Sequence, residues 1–368
     1  MNILHIDEQS GWRGGEQQAS YLIRGLAQRG HTVLLAGRPD GAFLAAHHGV
    51  DDAVRIPAAF RGEWDLATAW KLARAVRRHR VDILHAHTSH AHTHAYLAKR
   101  MAGRGLVVVS RRVDFVPRQD FLNRWKYRLP DHIIAISERI GDVMRAFGVP
   151  PAKLSVVHSC IDPARFDVEP LPRAALGVPD GVPLLGNVAA LVGHKDQATL
   201  LDAMPAVLRE LPDLHLVIAG EGELRGALET QIERLGIGHA VQLLGYRDDV
   251  PRLLRALDAF VMSSKEEGLG TSVLDAMVCG LPVAATAGGG IPEMVADGQT
   301  GLLVPVQDPP ALAAAIVRLF RDRALARRLG DNAKAMVVDR FTVDRMVEGN
   351  LRVYEELLGA QGDSADTA

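Results

Sequence analysis

The chain has 368 residues, of which 48% are hydrophobic and 23% are charged, and its formal net charge is −2. Because a single core stops growing near about 250–300 residues, this length predicts two domains. No apolar run is long enough to span a bilayer, and two cysteines are too few for a disulfide scaffold or, alone, for a four-ligand zinc site.

The first half of the chain alternates short apolar runs with amphipathic segments. In chain order, the pattern predicts a strand at 2–6, a helix at 16–28, a strand at 32–36, a helix at 66–79, strands at 81–85, 106–110 and 132–136, and a helix at 138–147. In the second of these helices, Leu66, Ala69, Trp70 and Ala73 form the apolar stripe. Such alternation is typical of a parallel, doubly wound sheet with helices on both faces.

A proline-rich segment, 162–183, follows and predicts an interdomain linker. The alternation then restarts, with strands predicted at 182–189, 214–219, 240–244, 259–262, 282–285 and 301–304, and helices at 197–210, 249–257, 271–279, 310–320, 323–338 and 343–358. The fold class is therefore α/β, with two doubly wound Rossmann-like domains that face a central cleft. The predicted parts are a first domain at 1–168, a second at 169–342, a helix at 343–358 that crosses back to the first domain, and a disordered tail at 359–368.

A glycine-rich loop, GWRGGE at 11–16, lies between the first predicted strand and the first predicted helix. Such a loop lets backbone N–H groups approach an anion at the N-terminus of a helix. It is not the G-x-G-x-x-G pattern of dinucleotide sites, and the second strand ends in Ala36-Gly37-Arg38, without an acid for a ribose hydroxyl. The loop indicates either an anion site or a tight turn that binds no ligand.

The strongest motif is SSKEEGLGTSVLDAM at 263–277, which follows a predicted strand and begins a helix. Gly268 and Gly270 permit close backbone approach, and Thr271 and Ser272 form the first helical positions. The N–H groups of that turn and the positive end of the helix dipole suit a diphosphate.

Two carboxylates of the same motif, Glu267 and Asp275, lie eight residues apart, one in the loop and one a turn into the helix. A phosphate would repel a neighbouring carboxylate, so their partners are expected to be neutral hydroxyl groups. A sugar and a ribose supply such hydroxyls, which makes an elongated sugar-nucleotide the expected ligand.

These residues resemble the signature of the retaining GT-B glycosyltransferases of family 4, which transfer sugar from a nucleotide-sugar donor. The family signature is Glu, seven residues, Glu in an EGFG…LEAM context, and this chain has EGLGTSVLDAM from Glu267 onwards. The resemblance covers nearly the whole chain, with its segments in the family's order and spacing. They are the glycine loop at 11–16, IAIS at 134–137, IDP with Phe166 at 161–166, Lys195, IAGEG at 218–222, LGY at 244–246, GLPVAAT at 280–286, GGIPE at 289–293 and TGLLV at 300–304.

The resemblance implies a GT-B fold and a metal-independent transferase that needs no cofactor beyond its nucleotide-diphosphate sugar. It implies that Glu267 holds hydroxyls of the transferred sugar, that Asp275 holds the ribose, and that Lys195 faces the diphosphate. The expected catalytic residues are Glu267, Lys195 and Arg112. The expected donor contacts are Gly14, Gly15, Gly268, Leu269, Gly270, Thr271, Ser272, Asp275, Gly289 and Gly290.

The chain departs from the family pattern at three positions. Asp275 is one methylene shorter than the usual Glu, and Ala190 stands where the family often has an arginine five residues before the lysine. SRRVD at 110–114 replaces a segment that often contains a histidine. We expect Arg112 to substitute for that histidine and to face the diphosphate or an anionic acceptor, and the alternative is a pair of surface arginines.

Histidines at 85, 87, 90, 92 and 94 look at first like a metal site. No acidic residue joins them and the resemblance supplies no metal, so the expected metal content is none. His85 and His87 end a predicted strand, where an acceptor-side role is expected, as it is for Glu16. The alternative for the two histidines is one buried and one capping side chain.

Charge is unevenly divided along the chain. Residues 1–165 contain 24 Lys and Arg against 15 Asp and Glu, whereas the remainder contains 18 against 29. The basic first domain predicts an anionic saccharide or lipid-linked acceptor and peripheral contact with an anionic membrane, or else a solvated face on an enzyme with a soluble acceptor. Nucleic acid is disfavoured, because aromatic residues are few and none interleave with basic runs. The basic clusters are Arg74, Arg77, Arg78 and Arg80, and Arg124, Lys126 and Arg128.

The sequence thus predicts a retaining hexosyltransferase that moves a sugar from a nucleotide-diphosphate sugar to an acceptor hydroxyl in bacterial cell-envelope glycan or lipopolysaccharide synthesis. The first strand is not preceded by a basic leader, so the expected location is cytoplasmic or peripheral on the inner face of the membrane. Two alternatives stay open, a nucleotide-sugar 2-epimerase of the same fold and a non-catalytic sugar-nucleotide sensor.

Overall fold

The computed structural model describes residues 1–12, 14–47, 50, 53–113 and 116–365. The chain divides into two compact units, each built on one parallel sheet. Unit 1 consists of Met1–Cys160 with Val343–Ala368, and unit 2 consists of Ile161–Thr342.

The sheet of unit 1 has seven strands. They are β1 (Asn2–Ile6), β2 (Thr32–Gly37), β3 (Val54–Pro57), β4 (Ile83–Ala86), β5 (Leu106–Arg111), β6 (His132–Ala135) and β7 (Leu154–Val156). Their order is β3-β2-β1-β4-β5-β6-β7. The central strands are buried on both faces, which explains why they are continuous apolar runs. The winding direction reverses between β1 and β4, and ligands of doubly wound sheets bind at the carboxyl ends of such strands.

Six α-helices lie in the described part of residues 1–160. They are α1 (Gly14–Gln28), α2 (Ala42–Ala45), α3 (Leu66–Arg78), α4 (Ser89–Ala102), α5 (Phe121–Lys126) and α6 (Glu138–Phe147). Side chains cap several of them: Asp65 accepts from the Thr68 N–H (3.1 Å) before α3, and Ser137 accepts from the Ile140 N–H (3.1 Å) before α6. Each cap satisfies an N–H group that the first helical turn leaves unpaired.

Unit 2 repeats the design with six strands and six helices. The strands are β8 (Leu184–Val188), β9 (His215–Ala219), β10 (Val241–Gly245), β11 (Ala259–Met262), β12 (Val283–Thr286) and β13 (Leu302–Val304). They lie in the order β10-β9-β8-β11-β12-β13, so the winding reverses between β8 and β11. The helices are α7 (Gln197–Glu210), α8 (Arg225–Leu235), α9 (Val250–Ala256), α10 (Thr271–Val278), α11 (Pro309–Arg321) and α12 (Arg323–Arg340). The predicted α/β class with two doubly wound sheets is confirmed.

The last helix, α13 (Val343–Ala365), belongs to unit 1. It packs on α1, where a Cβ atom added at Gly25 would stand only 2.5 Å from Val347 Cγ2, and its Tyr354 is completely buried. The predicted helix ends at residue 358 and is followed by a disordered tail, whereas α13 continues to Ala365. Residues 366–368 of that tail lie outside the described residues.

The proline-rich segment at 162–183 is not a free linker. The Ile161 N–H donates to the Phe341 carbonyl (2.8 Å), and Arg173 forms an ion pair with Asp258 (2.7 Å), which fastens the segment to unit 2. The expected domain boundary after residue 168 therefore moves to residue 160, because composition marks a proline-rich segment without showing which unit it packs against.

The predicted apolar stripe of α3 is wrong in part. Ala69 and Ala73 are buried as expected, together with Leu72, whereas Leu66 and Trp70 are 59% and 56% exposed. The small alanine side chains let α3 lie close along α4, whereas the two bulky side chains stay exposed to solvent.

Several elements have no counterpart among the sequence predictions. They are β3, β7, α2, α4, α5 and α8. The two strands are the edges of the sheet of unit 1 and are only partly buried, so they lack the continuous apolar run that marks a central strand. Among the described helices, none combines the length and the apolarity needed to cross a bilayer.

Candidate active site

The loop 263–270, between β11 and α10, carries the largest group of predicted site residues. It lies at the carboxyl edge of the sheet beside the reversal in winding, where doubly wound folds bind ligands. The Thr286 hydroxyl donates to the Ser264 carbonyl (2.6 Å), and the Ser263 hydroxyl donates to the Lys195 carbonyl (3.1 Å). The loop is therefore held on one side by β12 and on the other by the turn that contains Lys195.

Glu267 and Lys195 form a buried ion pair in this loop. Their Oε1 and Nζ atoms are 2.5 Å apart, and the Ser264 hydroxyl donates to the same oxygen (2.9 Å). The side chains are only 7% and 19% exposed, so solvent screens their charges weakly. The structure thus brings together, across 72 positions of sequence, the two side chains predicted for the sugar and the diphosphate.

Glycines of the following loop pack backbone against backbone on the Glu267 segment. A Cβ atom at Gly289 would stand 2.1 Å from the Glu267 carbonyl oxygen, and one at Gly290 would stand 2.5 Å from the Gly268 carbonyl oxygen. The Gly290 N–H donates to the Glu267 carbonyl (2.8 Å). Gly289 and Gly290, expected as donor contacts, therefore hold the backbone of the acidic residue in place.

The N-terminus of α10 points out of the same loop. Gly270 precedes the helix with φ of +93°, a conformation that favours glycine, and no side chain of the described residues caps the first turn. Thr271 and Ser272 are partly buried, whereas the Leu269 side chain is buried in the interior. The first-turn N–H groups are therefore disposed toward an anion, and Leu269 contributes packing and backbone alone.

Asp275 lies one turn further along α10 and is partly buried. Burial raises the pKa of its carboxyl group to about 7, and the positive charge of Arg165 partly offsets this rise. This side chain therefore changes charge near neutral pH, unlike an exposed aspartate.

We expect Asp275→Asn to raise the melting temperature by a few degrees at about pH 8, by less at about pH 5, and hardly at all below about pH 4. The folded-state pKa of about 7 lies above the ordinary value of 3.8, so the folded protein holds a proton that the unfolded chain has released. Stability therefore falls as pH rises between these two values, and the amide removes that loss. Circular-dichroism melts across this pH range check the prediction, and parallel curves for the two proteins would contradict it.

Unit 1 carries a second polar group at the carboxyl ends of β1, β4 and β5. Asp7 follows β1 and is 1% exposed, His87 follows β4, and Arg112 follows β5. Burial raises the pKa of Asp7 to about 7; the Gln9 N–H and the charge of Arg112 oppose this shift, and the charge of Glu16 adds to it. The structure thus brings together Asp7, His87 and Arg112 at one edge of the sheet.

The Arg112 side chain is the centre of this second group. Its Nη2 atom is 3.4 Å from His87 Nδ1, and a Cβ atom added at Gly15 would stand 3.6 Å from its Cδ. Burial lowers its pKa, while the charges of Asp7 and Glu16 raise it. The glycine turn, in which Gly14 begins α1, therefore passes beside Arg112, and Arg112 is not the surface arginine of the alternative interpretation.

The two strand-end histidines have different surroundings. His85 is fully buried; its Nδ1 is 2.5 Å from the Tyr354 hydroxyl oxygen and its Nε2 is 2.8 Å from the Ser110 hydroxyl oxygen. Both ring nitrogens therefore form hydrogen bonds inside the protein, which corrects the expectation that His85 contacts an acceptor. His87 lies beside Arg112, and its Nε2 is 3.0 Å from His5 Nδ1.

Three of these rings could offer ligand atoms to a metal, since ring nitrogens of His5, His85 and His87 lie within 4.8 Å of one another. Burial lowers the pKa of all three, that of His5 to about 3, so the rings are neutral. Three observations argue against a bound cation. Both ring nitrogens of His85 are hydrogen-bonded, the rings of His85 and His87 stack with centres 4.4 Å apart, and the positively charged Arg112 guanidinium lies beside His87. The arrangement fits a neutral hydrogen-bonded network better than a metal site. The other members of the predicted cluster lie on α4: His90, His92 and His94.

Removing the Tyr354 hydroxyl is expected to destabilise unit 1. Tyr354→Phe leaves a buried nitrogen of His85 without its partner, which costs about 1–3 kcal/mol of unfolding free energy. Tyr246→Phe is the matched control, because Tyr246 is 75% exposed. Urea denaturation measures both variants, and equal midpoints would contradict the interior role of this hydrogen bond.

Sequence reasoning did not find His5, Ser264 or Tyr354 as partners of the site residues. His5 lies opposite His85 in the parallel pairing of β1 with β4, a neighbourhood that requires the strand order. Ser264 stands three positions before Glu267 in the strongest motif, and that short spacing was the available signal. Tyr354 has no local signal, because it is 269 positions from its partner.

Two doubly wound units in tandem, the second with an acid–lysine pair beside an uncapped helix N-terminus, define a GT-B glycosyltransferase. The chain belongs to the glycosyl transferases of group 1. The model of that family matches residues 169–336, and the model named Glycosyltransferase Family 4 matches residues 12–165. The resemblance drawn from the motifs is therefore confirmed for both halves of the chain.

Relatives of known name agree with this membership. EpsD of Bacillus subtilis, named as a glycosyltransferase, is 31% identical over 83% of this chain and 85% of its own length. The lipopolysaccharide core biosynthesis glycosyltransferase LpsE of Rhizobium meliloti is 26% identical over 92% of this chain and 95% of its own. The crystal structure of Anabaena HepE in complex with UDP and glucose has a TM-score of 0.83 at 22% identity, over 97% of this chain and 100% of that one. The last likeness shows the shared fold.

Proposed function

We propose that the chain transfers a hexose from a nucleotide-diphosphate sugar to an acceptor hydroxyl, with retention of the anomeric configuration and without a metal ion. The observation that carries this proposal is the Glu267–Lys195 pair, seated by close-packed glycines at the N-terminus of α10. Retention follows from the likeness of the Glu267–Asp275 segment to the signature of the retaining family.

The donor is assigned to unit 2, because each part of a sugar nucleotide has a complementary group there. Lys195 and the N–H groups of α10 supply positive potential for the diphosphate, and one Lys–phosphate contact at about 4 Å is worth up to ~4 kcal/mol before desolvation costs. Glu267 accepts hydrogen bonds from sugar hydroxyls, and Asp275 accepts from ribose. A uridine nucleotide is the first candidate, since HepE of the same fold is described with UDP and glucose.

Charge placement gives the catalytic argument for the donor side. Negative charge grows on the diphosphate as the glycosidic bond breaks, so a fixed lysine and helix N-terminus stabilise the transition state more than the ground state. The buried carboxylate of Glu267 holds Lys195 in place (2.5 Å) and is itself held by Ser264 (2.9 Å). The protein then acts mainly by positioning and by electrostatic stabilisation, with no metal ion required.

The acceptor is assigned to unit 1, where Arg112, His87 and Asp7 meet. An arginine beside neutral histidines suits an anionic acceptor, and a cell-envelope saccharide or lipid-linked saccharide has that chemistry. The relative LpsE is named for lipopolysaccharide core biosynthesis, which supports an envelope acceptor. We also propose that the enzyme acts at the inner face of the membrane, in peripheral contact with anionic lipid.

A panel of nucleotide sugars tests the proposal. The protein is incubated with each donor, with and without saccharide acceptors and with a chelator, and the products are read by NMR. We expect one donor to give slow nucleotide release alone, and an α-donor to give an α-linked product that the chelator does not suppress. A β-linked product would overturn retention, a new epimer from donor alone would identify a 2-epimerase, and no turnover with any donor would indicate a sensor.

A further inference from the structure

Large hydrophobic side chains are exposed mainly in one part of unit 1. Of the ten such side chains exposed among the described residues, seven lie between positions 64 and 125. The aromatic ones are Trp64 (59%), Trp70 (56%), Phe121 (79%) and Trp125 (40%). Single exposed apolar residues are ordinary, but a concentration of tryptophans on one part of a surface marks an interaction site.

The outer side of α3 combines these aromatics with positive charge. Leu66, Trp70 and Arg74 follow one another at intervals of four and therefore share one side of the helix, and Arg74 lies 4.9 Å from the centre of the Trp70 ring. Arg78 continues the row, and α3 contains no acidic residue. A helix with tryptophan and leucine beside arginines has the composition of a segment that lies in a membrane interface.

A groove runs between this side of α3 and the edge strand β3, with a volume of about 1010 Å³. Its apolar lining includes Val54, Ile56 and Trp70, and its charged lining includes Arg55 and Arg74. An apolar trough bordered by arginines matches an anionic amphiphile, with hydrocarbon on the floor and phosphate at the rim.

Contacts on the neighbouring side connect α3 to α5. Glu63, just before α3, forms an ion pair with Lys126 of α5 and accepts a hydrogen bond from the Thr93 hydroxyl (2.8 Å). Trp125 meets Tyr96 of α4 edge-on, with ring centres 6.1 Å apart. These contacts join the start of α3 to α5 and α4. The exposed side chains of α3 and of the turn before it form the aromatic-basic face, which consists of Trp64, Leu66, Trp70, Arg74 and Arg78.

Acidic residues near this face do not cancel its charge. Glu63 is paired with Lys126, whereas Asp65 keeps its negative charge, because hydrogen bonds from the Arg61 and Thr68 N–H groups lower the pKa of its carboxyl group to about 2. The four basic residues of α3, Lys71, Arg74, Arg77 and Arg78, outnumber it. The exposed arginines therefore present positive charge beside exposed tryptophans, which is complementary to the headgroups and upper acyl region of an anionic bilayer.

We propose that the aromatic-basic face docks unit 1 on an anionic lipid bilayer. The proposal rests on the proposed envelope acceptor and deepens it. The start of α3 follows the carboxyl end of β3, so Trp64 and Leu66 lie at the same edge of the sheet as Asp7, His87 and Arg112. Docking through this face brings that edge near the lipid headgroups, where a lipid-linked or membrane-bound acceptor is displayed.

Vesicle co-sedimentation with the full chain tests this surface. Vesicles of phosphatidylcholine alone are compared with an equal mixture of phosphatidylcholine and phosphatidylglycerol, at low and high salt. We expect binding to the mixed vesicles only, weakened by salt, and a blue shift of tryptophan emission, since two of the four tryptophans, Trp64 and Trp70, lie on the face. Equal partition to both vesicle types, or none to either, would overturn the proposal and point to a protein partner or a solvated surface.

Two double variants that remove the same charge distinguish a local effect of this face from a general effect of net charge. Arg74→Gln with Arg78→Gln should weaken partition by about 25-fold, because each basic side chain near an anionic surface contributes about a fivefold factor. Arg327→Gln with Arg328→Gln removes the same charge from exposed positions of α12 and should have less than a twofold effect. Equal losses in the two pairs would reject the face. Trp70→Ala should weaken the binding that persists at high salt.

Donor hydrolysis without acceptor, measured in the same variants, distinguishes the two proposals. The aromatic-basic face belongs to unit 1, whereas the residues proposed to bind the donor, Glu267, Lys195 and the N-terminus of α10, belong to unit 2. Donor hydrolysis should therefore be unchanged in variants that lose vesicle binding. Vesicle binding without hydrolysis of any donor would reject the proposed function and leave the docking surface intact. Hydrolysis without vesicle binding would reject the docking surface alone.

Discussion

Replacing Glu267 by alanine is expected to lower kcat for sugar transfer by two to three orders of magnitude while UDP still binds. The carboxylate is the proposed acceptor for hydroxyls of the transferred sugar and the partner that holds Lys195 at 2.5 Å. Its removal frees a buried ammonium group and removes the negative charge nearest the proposed diphosphate site. UDP, the nucleotide of the proposed donor, should therefore bind at least as tightly as in the native protein.

Steady-state transfer assays and calorimetric titration with UDP measure these two effects separately. Glu266→Ala is the matched control, because Glu266 is the neighbouring carboxylate and is exposed. It should change kcat by less than about twofold, in line with a substitution at an exposed position. Glu267→Gln keeps the shape and loses the charge, so its loss should lie between those of the other two. Full activity in Glu267→Ala would place the sugar elsewhere.

Much of the donor group could be predicted because it is local in sequence. Glu267, Gly270 and Thr271 belong to one strand–loop–helix unit, and the physics of an anion at a helix N-terminus requires no knowledge of the rest of the fold. Lys195 was predicted from the family resemblance alone, since nothing near it in sequence indicates that its Nζ atom reaches Glu267 across 72 positions.

The group in unit 1 was less predictable because it depends on strand order. His5 and Asp7 come from β1, His87 from β4 and Arg112 from β5, and these ends converge only after the sheet has reversed its winding between β1 and β4. His85 was assigned to the wrong role for a related reason. Its partner Tyr354 arrives from α13, so alternation along the strand could not distinguish an interior ring from an accessible one.

The error on α3 has a similar cause and a functional meaning. Leu66, Ala69, Trp70 and Ala73 fit a helical period, and a period alone does not say which arc of the helix faces the sheet. The alanines pack inward and the tryptophan stays outside, so the misplaced part of the stripe is the part that forms the proposed docking surface. Such local conflicts are expected at positions retained for binding rather than for stability.

Substituting Gly289 by alanine is expected to lower kcat for transfer by about 100-fold, although this residue has no reactive group. The added Cβ would stand 2.1 Å from the carbonyl oxygen and 2.4 Å from the nitrogen of Glu267. Both neighbours are backbone atoms, which cannot turn aside as a flexible side chain can. The loop must therefore move by about an ångström, and Glu267 moves with it, away from its contacts with Lys195 and Ser264.

Gly298→Ala is the control that distinguishes displacement of the Glu267 loop from the strain of a left-handed backbone conformation. Gly298 has φ of +68°, close to the +58° of Gly289, but a Cβ atom there would meet nothing within 4 Å. Both variants incur the left-handed penalty of about 1 kcal/mol, so both should melt at a lower temperature than the native protein. Only Gly289→Ala should lose turnover at a temperature where each variant is folded. Equal turnover in the two variants would mean that the Glu267 segment tolerates the shift, and that its position is not fixed by the glycines packed against it.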